Sequence, residues 1–374
     1  MPSPEHLLNL SAKSSNPKGA TEALRLFGRD WPSDSWRDLH VAVALSGGVD
    51  SMALLRLVLT EKENSGGTGS VIALHVNHQL RGADAEADAE WCREQCKTLG
   101  AQLVVLECNA AERAAEDGDG LEAAARSQRY ELLIQAAEQA GARYLAVAHT
   151  RDDQVETVLF RLLRGSGLRG LRGIPKLRQL TSAITIVRPL LACSREMLEG
   201  YLKDLGQSSR MDGSNRDSQF TRNRLRHELL PKLREEYNSN LDAALVQLAA
   251  QADEAEQLVE RQARRLLEQA SVTLQSGKSE SASQQSGSEN QLSLLFGSIS
   301  PWESEEIPLL ISTAIRLAWR EAKLPEQDMT YSWWRLLATL LQEEKPSRVL
   351  NLPGEVRASV QQGQLVLQWP VRQS

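Results

Sequence analysis

Short apolar runs alternate with amphipathic stretches over residues 39–190. Most of these runs are apolar at every position, as in parallel strands that helices cover on both faces. The predicted strands are Val41–Leu45, Val71–Val76, Leu103–Leu106, Tyr144–Ala148 and Ile184–Val187. Helical spacing predicts the intervening helices Met52–Thr60, Ala83–Leu99, Leu121–Ala140 and Asp152–Arg164. This alternation predicts a doubly wound parallel α/β sheet with right-handed crossovers.

The chain becomes mainly helical after Pro189, and the predicted helices are Ser194–Leu205, Arg222–Glu236 and Leu241–Gln269. The Ser/Gln/Gly-rich segment 274–291 predicts a disordered linker because it has nothing to bury. The small α+β tail has helices near Ile307–Ala322 and Tyr331–Glu343 and strands near Arg348–Leu352, Val356–Val360 and Leu365–Gln368. We expect an N-terminal extension (1–38), an α/β domain (39–215), a helical region (216–273), the linker (274–293) and an accessory C-terminal domain (294–374).

The distribution of charge along the chain indicates a binding partner. The 374 residues carry a net charge of −6, yet residues 161–178 and 222–234 contain six and five basic residues with none and one acid. Two concentrated basic segments in an acidic protein indicate a polyanion bound on one face. We expect no membrane span and no secretory signal, and four cysteines without a CxxC pair fit a reducing cytoplasm.

The segment ALSGGVDS (44–51) joins the first predicted strand to the first predicted helix. A Gly-rich turn at a helix N-terminus binds anions through its backbone N–H groups. Asp50 would repel a bare phosphate, so its presence indicates Mg²⁺ together with a nucleotide. The alternative is a plain strand-to-helix turn with a serine cap. Neither a GxxxxGK[ST] loop nor a GxGxxG loop after a strand is present.

Further segments follow this loop in a recognisable order. They are HVNHQLR (75–81), LEAAARSQRY (121–130), AHTRDDQVETVLFRLLRGSGLRGLRGI (148–174), RPLL (188–191), DGSN (212–215) and RNRLRHELLP (222–231). Together with SGGVDS they resemble the tRNA(Ile)-lysidine synthetase family of N-type ATP pyrophosphatases, also called PP-loop enzymes, over residues 39 to about 240. Residues 300–370 resemble the accessory domain of that family more weakly.

The resemblance implies a fold like that of the adenine nucleotide alpha hydrolases and a specific reaction. L-lysine is ligated to C2 of the wobble cytidine in the CAU anticodon of tRNA(Ile). ATP adenylates the cytidine, AMP and diphosphate are released, and codon reading changes from AUG to AUA. We therefore expect ATP, Mg²⁺, L-lysine and this tRNA as ligands. A homodimer is left open.

The resemblance also implies roles for residues of the nucleotide site. Ser46, Gly47, Gly48, Val49 and Ser51 would hold the diphosphate, and Asp50 would carry Mg²⁺. His75 would lie near the adenosine and Arg126 at the phosphates. The alternative for His75 is a histidine that ends a strand without a functional role. The alternative for Arg126 is an exposed salt bridge on a helix.

The resemblance places free lysine and RNA on the segments that follow. His149, Asp153 and Glu156 would serve the lysine, although Thr150-x-x-Asp153 also resembles a helix capping box. Thr150 stands where the family often has a second histidine, so a general base at that position is not expected. The arginines implied in tRNA binding are Arg161, Arg164, Arg169, Arg172, Arg222, Arg224 and Arg226, and Arg222 is also implied in catalysis.

Two other functions remain open on the sequence. One is another PP-loop enzyme acting on tRNA, such as a cytidine thiolase, which would need paired cysteines. The other is a non-catalytic RNA-binding protein that responds to ATP. The presence of Asp50, Asp153 and Glu156 together favours an active enzyme.

Overall fold

The computed structural model describes residues 18–77, 83–108, 121–210, 221–275, 289–296, 307–342 and 349–371. These residues form two compact units. The first contains the described residues up to Gly165 together with Arg172–Ala249. The second contains Ser166–Leu171 and the described residues from Ala250 onward. No helix in these ranges is both long enough and apolar enough to span a membrane.

The first unit is built on a sheet that, within the described residues, has six strands in the order β3-β2-β1-β4-β6-β5. In chain order they are β1 Val41–Ala44, β2 Val71–Asn77, β3 Gln102–Glu107, β4 Tyr144–Ala146, β5 Leu177–Gln179 and β6 Thr185–Val187. The paired strands are parallel except for β5, which runs antiparallel to β6. The predicted doubly wound parallel α/β sheet is therefore confirmed.

Helices cover both faces of this sheet, which is why β1 is almost completely buried. In chain order, the helices before the second sheet are α1 Lys18–Asp30, α2 Val49–Ser65, α3 Ala83–Leu99, α4 Leu121–Gln139, α5 Arg151–Leu163, α6 Leu168–Leu171, α7 Arg195–Asp204, α8 Thr221–Arg224, α9 Leu230–Glu236 and α10 Leu241–Gln269. Short α6 and the part of α10 from Ala250 onward belong to the second unit. A π-turn, Leu225–Leu229, joins α8 to α9, so the helix predicted over Arg222–Glu236 contains one widened turn.

The N-terminal helix belongs to the core of the first unit. Ala23 and Phe27 on α1 are fully buried, and Trp31 stacks on Trp36 with ring centroids 4.4 Å apart. The extension predicted at 1–38 is thus, from Lys18 onward, an integral part of the α/β domain. Its apolar positions were missed because they are separated by charged residues that lie on the solvent face of one helix.

In its described residues the second unit combines an antiparallel sheet with α6, the part of α10 from Ala250 onward, and the helices α11 Ile307–Glu321 and α12 Tyr331–Gln342. The strand order is β7-β8-β11-β10-β9. These strands are β7 Ser271–Gln275, β8 Glu289–Leu295, β9 Leu350–Leu352, β10 Val356–Gln361 and β11 Gln364–Pro370. Trp319 and Trp334 pack edge to face in the core of this unit.

The two ends of the predicted linker are strands. Residues 274–275 close β7 and residues 289–293 open β8, and the two strands pair antiparallel. Leu292 and Leu294 are buried in the core of the second unit, which is why this polar-looking segment orders at its end. The middle of the predicted linker, 276–288, lies outside the described residues.

We expect Phe27→Ala to lower the free energy of unfolding by about 3–5 kcal/mol, because a fully buried ring is replaced by a cavity. Chemical denaturation measures the change. Arg25→Ala is the control, since Arg25 forms only an exposed ion pair with Glu22 on the same helix, and it should leave the unfolding free energy almost unchanged. Equal effects of the two substitutions would show that α1 is not part of the core.

Candidate active site

A cavity of about 350 Å³ lies in the first unit, where the chain leaves β1 and β4. These strands are adjacent, and the chain continues from them to opposite sides of the sheet order. Ligands of open α/β sheets bind in the crevice that forms at such a reversal. The cavity is lined by Asp50, Thr150, Asp152, Asp153, Glu156, Arg195, Arg226, His227, Leu230 and Arg234.

The loop after β1 is shaped by one glycine and two serine hydroxyls. Gly47 has a φ of +87°, a conformation that side-chain-bearing residues rarely adopt. The Ser51 hydroxyl donates to the Gly48 carbonyl at 3.0 Å and accepts from the Ser46 backbone N–H at 3.1 Å. Gly48 is the N-cap of α2, and Val49 is its first residue. The loop therefore turns tightly into a helix N-terminus, which is the geometry that favours anions.

Asp50 lies in the first turn of α2 and faces the cavity. Its Oδ1 atom is buried and has no hydrogen-bond partner among the described residues. Burial raises the pKa of Asp50 to about 6, and the charges of Asp153 and Asp152 act in the same direction, against those of Arg195 and Arg226. A buried carboxylate oxygen without a partner in this position is suited to a cation.

Asp152 and Asp153, at the start of α5, accept hydrogen bonds from backbone N–H groups at the N-terminal ends of two helices. Thr150 is the N-cap, and its backbone N–H donates to Asp153 at 2.9 Å in a reciprocal capping box. Asp152 accepts a hydrogen bond of 2.9 Å from the backbone N–H of Arg195, in the first turn of α7. The predicted capping box is confirmed, and Asp153 still lines the cavity while it caps.

Glu156 and Arg226 form the most deeply buried ion pair of the cavity. The Glu156 side chain is 2% exposed, and its Oε1 lies 2.5 Å from Nε of Arg226. A second guanidinium nitrogen of Arg226 lies 3.7 Å from Oδ1 of Asp153. Arg226 is part of the π-turn Leu225–Leu229, and π-turns occur frequently at functional sites.

The two predicted histidines contact neighbouring groups of the sheet edge. The buried His75 ring donates from Nδ1 to the Leu45 carbonyl, 2.9 Å away, at the start of the glycine loop. Burial lowers the pKa of His75, against the effect of this hydrogen bond. His149 accepts from Nε of the buried Arg188 at 3.3 Å. Neither ring is among the cavity-lining residues.

The predicted RNA-binding arginines differ in their exposure and in their contacts. Arg164 and Arg224 are exposed; Arg164 lies over the Phe160 ring, and Arg224 pairs with Glu228. Arg161 donates to the Gly173 carbonyl at 2.8 Å. Arg172 is half-buried, and Arg169 in the second unit forms an ion pair with Glu326 at 3.0 Å. The side chain of Arg222 lies outside the described part, as do the side chain of Arg126, which was predicted at the phosphates, and the DGSN segment.

Arg195, His227 and Arg234 are among the cavity residues that were not predicted as site residues. Arg195 follows β6, the strand next to β4, and its charge reaches Asp50. Arg234 forms a two-pronged ion pair with Asp242, at 2.8 and 3.0 Å. Arg195 was missed because its position beside the cavity depends on the strand order, which cannot be read from the sequence. His227 follows Arg226 directly, so the motif containing both was the available signal.

The cysteines are unsuited to thiol chemistry. All four lie within the described residues and are buried. Burial raises the pKa of Cys92 and of Cys193 to about 12 and that of Cys96 to about 11. Since the thiolate is the reactive form, the raised pKa values leave Cys92, Cys96 and Cys193 with very little of it at neutral pH.

Comparison with known proteins agrees with this geometry. The PP-loop domain family matches residues 24–233. The chain is 33% identical to a tRNA(Ile)-lysidine synthase of Rhodopirellula baltica over 334 residues, which cover 84% of this chain and 83% of the relative. It is 32% identical to the tRNA(Ile)-lysidine synthase of Clostridioides difficile over 223 residues, 60% of this chain and 47% of that relative. The chain thus spans about half the length of some curated relatives.

A solved structure shows the same fold. The U34-tRNA thiolase NcsA from Methanococcus maripaludis, determined with its [4Fe-4S] cluster, superposes with a TM-score of 0.53 at 16% identity. The superposition covers 63% of this chain and 80% of the thiolase. At this identity the likeness concerns the fold alone.

We expect the native thiols to resist alkylation. A pKa about three units above that of an exposed thiol lowers the thiolate fraction roughly 10³-fold at a given pH. Mass spectrometry after iodoacetamide treatment at mildly alkaline pH should find the native chain unmodified and the urea-denatured chain fully modified. Rapid labelling of Cys92 and Cys96 in the native chain would contradict the burial and reopen a thiolase function.

Proposed function

We propose that this chain, which belongs to the tRNA(Ile)-lysidine synthase family of PP-loop proteins, ligates L-lysine to C2 of the wobble cytidine of tRNA(Ile) bearing a CAU anticodon. ATP use is a property of this family. The observation that carries the proposal is the cavity itself. It brings the unpartnered carboxylate oxygen of Asp50, beside the glycine loop, within one enclosure with Asp153 and Glu156.

Activation of the cytidine is the first chemical requirement, because an amide-like oxygen is a very poor leaving group. The cytidine O2 attacks the α-phosphorus of ATP, and diphosphate leaves. The loop of Ser46, Gly47, Gly48 and Ser51, with the N-terminus of α2 behind it, would bind the departing diphosphate. The lysine ε-amine then attacks C2, and AMP leaves with the original oxygen.

Asp50 is the residue that we assign to Mg²⁺. Mg²⁺ is commonly held by one or two carboxylates together with substrate phosphates, and the unpartnered buried Oδ1 of Asp50 fits that role. No cluster of three or more His, Cys, Asp or Glu side chains suited to a metal occurs among the described residues. When bound, the ion would neutralise phosphate charge.

The acidic wall of the cavity supplies the lysine subsite. Its described residues include four acids, Asp50, Asp152, Asp153 and Glu156, and Arg234 is already neutralised by Asp242. Asp153 and Glu156, on successive turns of α5, would bind the ammonium groups of lysine. A carboxylate here would also favour loss of the ε-ammonium proton, which must precede nucleophilic attack.

The RNA would contact the exposed arginines. Arg164 and Arg224 are the exposed members of the two basic segments among the described positions of the predicted set. Such contacts position the phosphate backbone and do not read sequence. We also propose that the partner is tRNA and that the protein is located in the cytoplasm.

A thiolase is the alternative within the same fold, since NcsA is a U34-tRNA thiolase. The buried cysteines with raised pKa values disfavour it for this chain. Incorporation of labelled lysine into tRNA with a CAU anticodon, with diphosphate release measured in parallel, tests the proposed function. Diphosphate release without lysine incorporation would favour another acceptor or donor.

We expect Asp50→Ala to abolish ATP-dependent lysine incorporation while tRNA binding survives, because the substitution removes the cation-binding oxygen and not the RNA contacts. A filter-binding assay and the incorporation assay measure the two properties. Asp34→Ala, at a residue whose side chain is 87% exposed, is the matched control. Loss of tRNA binding in Asp50→Ala would mean that Asp50 is structural.

We also expect tRNA affinity to fall about 10³-fold between about 50 and 200 mM salt if roughly six phosphates are neutralised. Arg164→Gln should reduce the slope of log affinity against log salt by about one. Arg25→Gln, which removes an exposed arginine paired with Glu22, should not. A flat salt response in the unmodified chain would remove the argument for a basic face.

A further inference from the structure

The carbonyl of Gly47, in the glycine loop, is held by a residue far away in the chain. The backbone N–H of Arg210 donates to this carbonyl at 2.9 Å. The C=O of Gly47 and the N–H of Gly48 belong to one trans peptide and therefore point in opposite directions. The hydrogen bond that fixes the carbonyl thus also fixes the direction of the Gly48 N–H, which points away from Arg210.

The Gly48 N–H is placed where an anion can accept from it. It donates to the Ser46 hydroxyl at 3.4 Å, which is longer than an ordinary N–H···O bond of about 2.7–3.2 Å. Gly48 is the N-cap of α2, so the N–H lies at the helix end that favours negative charge. A charged phosphate oxygen would accept from it more strongly than the hydroxyl does.

Two adjacent glycines make the direction of this peptide easy to reverse. Gly47 has a φ of +87°, and glycine adopts positive and negative φ about equally readily. A reversed Gly47–Gly48 peptide would present a carbonyl oxygen to the phosphate, and two negative oxygens repel each other. The loop therefore depends on a contact from outside itself to keep the N–H in the useful direction.

The side chain of Arg210 anchors the backbone that makes this contact. Its Nε lies 2.6 Å from Oδ1 of Asp88, and its Nη1 donates to the Ala87 carbonyl at 3.0 Å. Both acceptors belong to α3, which also packs against the loop, since a Cβ atom on Gly47 would lie 3.4 Å from Sγ of Cys92. One helix thus supports both the loop and the arginine that aligns it.

We propose that Arg210, anchored on Asp88, is a positioning residue for the nucleotide, because it keeps the Gly48 N–H directed toward the phosphates. This inference rests on the proposed function, since it takes the glycine loop as the diphosphate subsite. The side chains of Arg210 and Asp88 are 37% and 36% exposed. An ion pair this exposed contributes little to folding stability, so its loss should affect the ligand more than the fold.

Arg210→Ala keeps the backbone N–H but removes both anchors on α3. We expect the dissociation constant for inorganic diphosphate, with Mg²⁺ present, to rise about tenfold if the useful peptide direction falls to about one-tenth of the molecules. The affinity for AMP should stay within about twofold, because AMP lacks the phosphates that the loop would hold. Isothermal titration of the full chain with each ligand measures both constants.

Asp88→Ala tests the same anchor from its other side. It should also weaken diphosphate binding, and the double variant should bind no more weakly than the weaker single variant, because both changes release one contact. Additive effects would show two separate roles and overturn the proposal. Arg93→Ala is the matched control: Arg93, also on α3, pairs with Glu86 and Glu90 at exposed positions, and both affinities should stay unchanged.

Unchanged diphosphate affinity in folded Arg210→Ala, or an equal loss of affinity for AMP, would also overturn the proposal. If circular dichroism shows that Arg210→Ala does not fold, Asp88→Asn, which keeps the size of the side chain, decides by the same two constants.

The lysine incorporation assay separates this inference from the proposed function. If the unmodified chain incorporates lysine but binds diphosphate too weakly for titration, the KM for ATP replaces the dissociation constant, and an unchanged KM in Arg210→Ala refutes the positioning role. If the unmodified chain binds neither diphosphate nor α,β-methylene-ATP and incorporates no lysine, the proposed function itself is refuted.

Discussion

The reversal of strand order between β1 and β4 determines where chemistry can occur in the first unit. Because the chain leaves these adjacent strands in opposite directions, α2 and α5 both begin beside one crevice. Two helix N-termini supply partial positive charge there, which lowers the cost of gathering acids. Asp50, Asp152 and Asp153 all lie in those first turns. The same partial charges favour a phosphate group there, and a cation beside Asp50 would reduce the repulsion between that phosphate and the carboxylate.

The four acids that line the cavity have different partners. Asp152 and Asp153 are occupied with helix ends, through the N–H groups of Arg195 and Thr150. Asp50 has an oxygen with no partner in the described structure, and Glu156 holds a guanidinium from a distant part of the chain. The acids thus differ in their contacts: Asp152 and Asp153 accept from backbone N–H groups, Oδ1 of Asp153 and Oε1 of Glu156 face Arg226, and Oδ1 of Asp50 has no partner among the described residues.

The sequence predicts the sheet well and the site in part. Strands β1 to β4 and β6 contain short, mostly apolar runs. The glycine loop and the capping box are local patterns that need no tertiary information. Helix α1 was missed because its buried positions, such as Phe27, are meaningful only once a sheet is available to cover them. Strand β5 was missed because it is exposed throughout. Arg195 reaches the cavity only through strand order, which depends on pairings between distant residues.

The π-turn at Leu225–Leu229 carries a consequence for how this segment can vary. One turn of the helix holds a residue more than a regular turn does. Deleting a residue between Arg226 and Leu230 would let this turn close as a regular α-turn. The position of the Arg226 guanidinium relative to Glu156 would then change. Insertions and deletions should therefore be excluded from this short stretch, while point substitutions at its outward positions are tolerated.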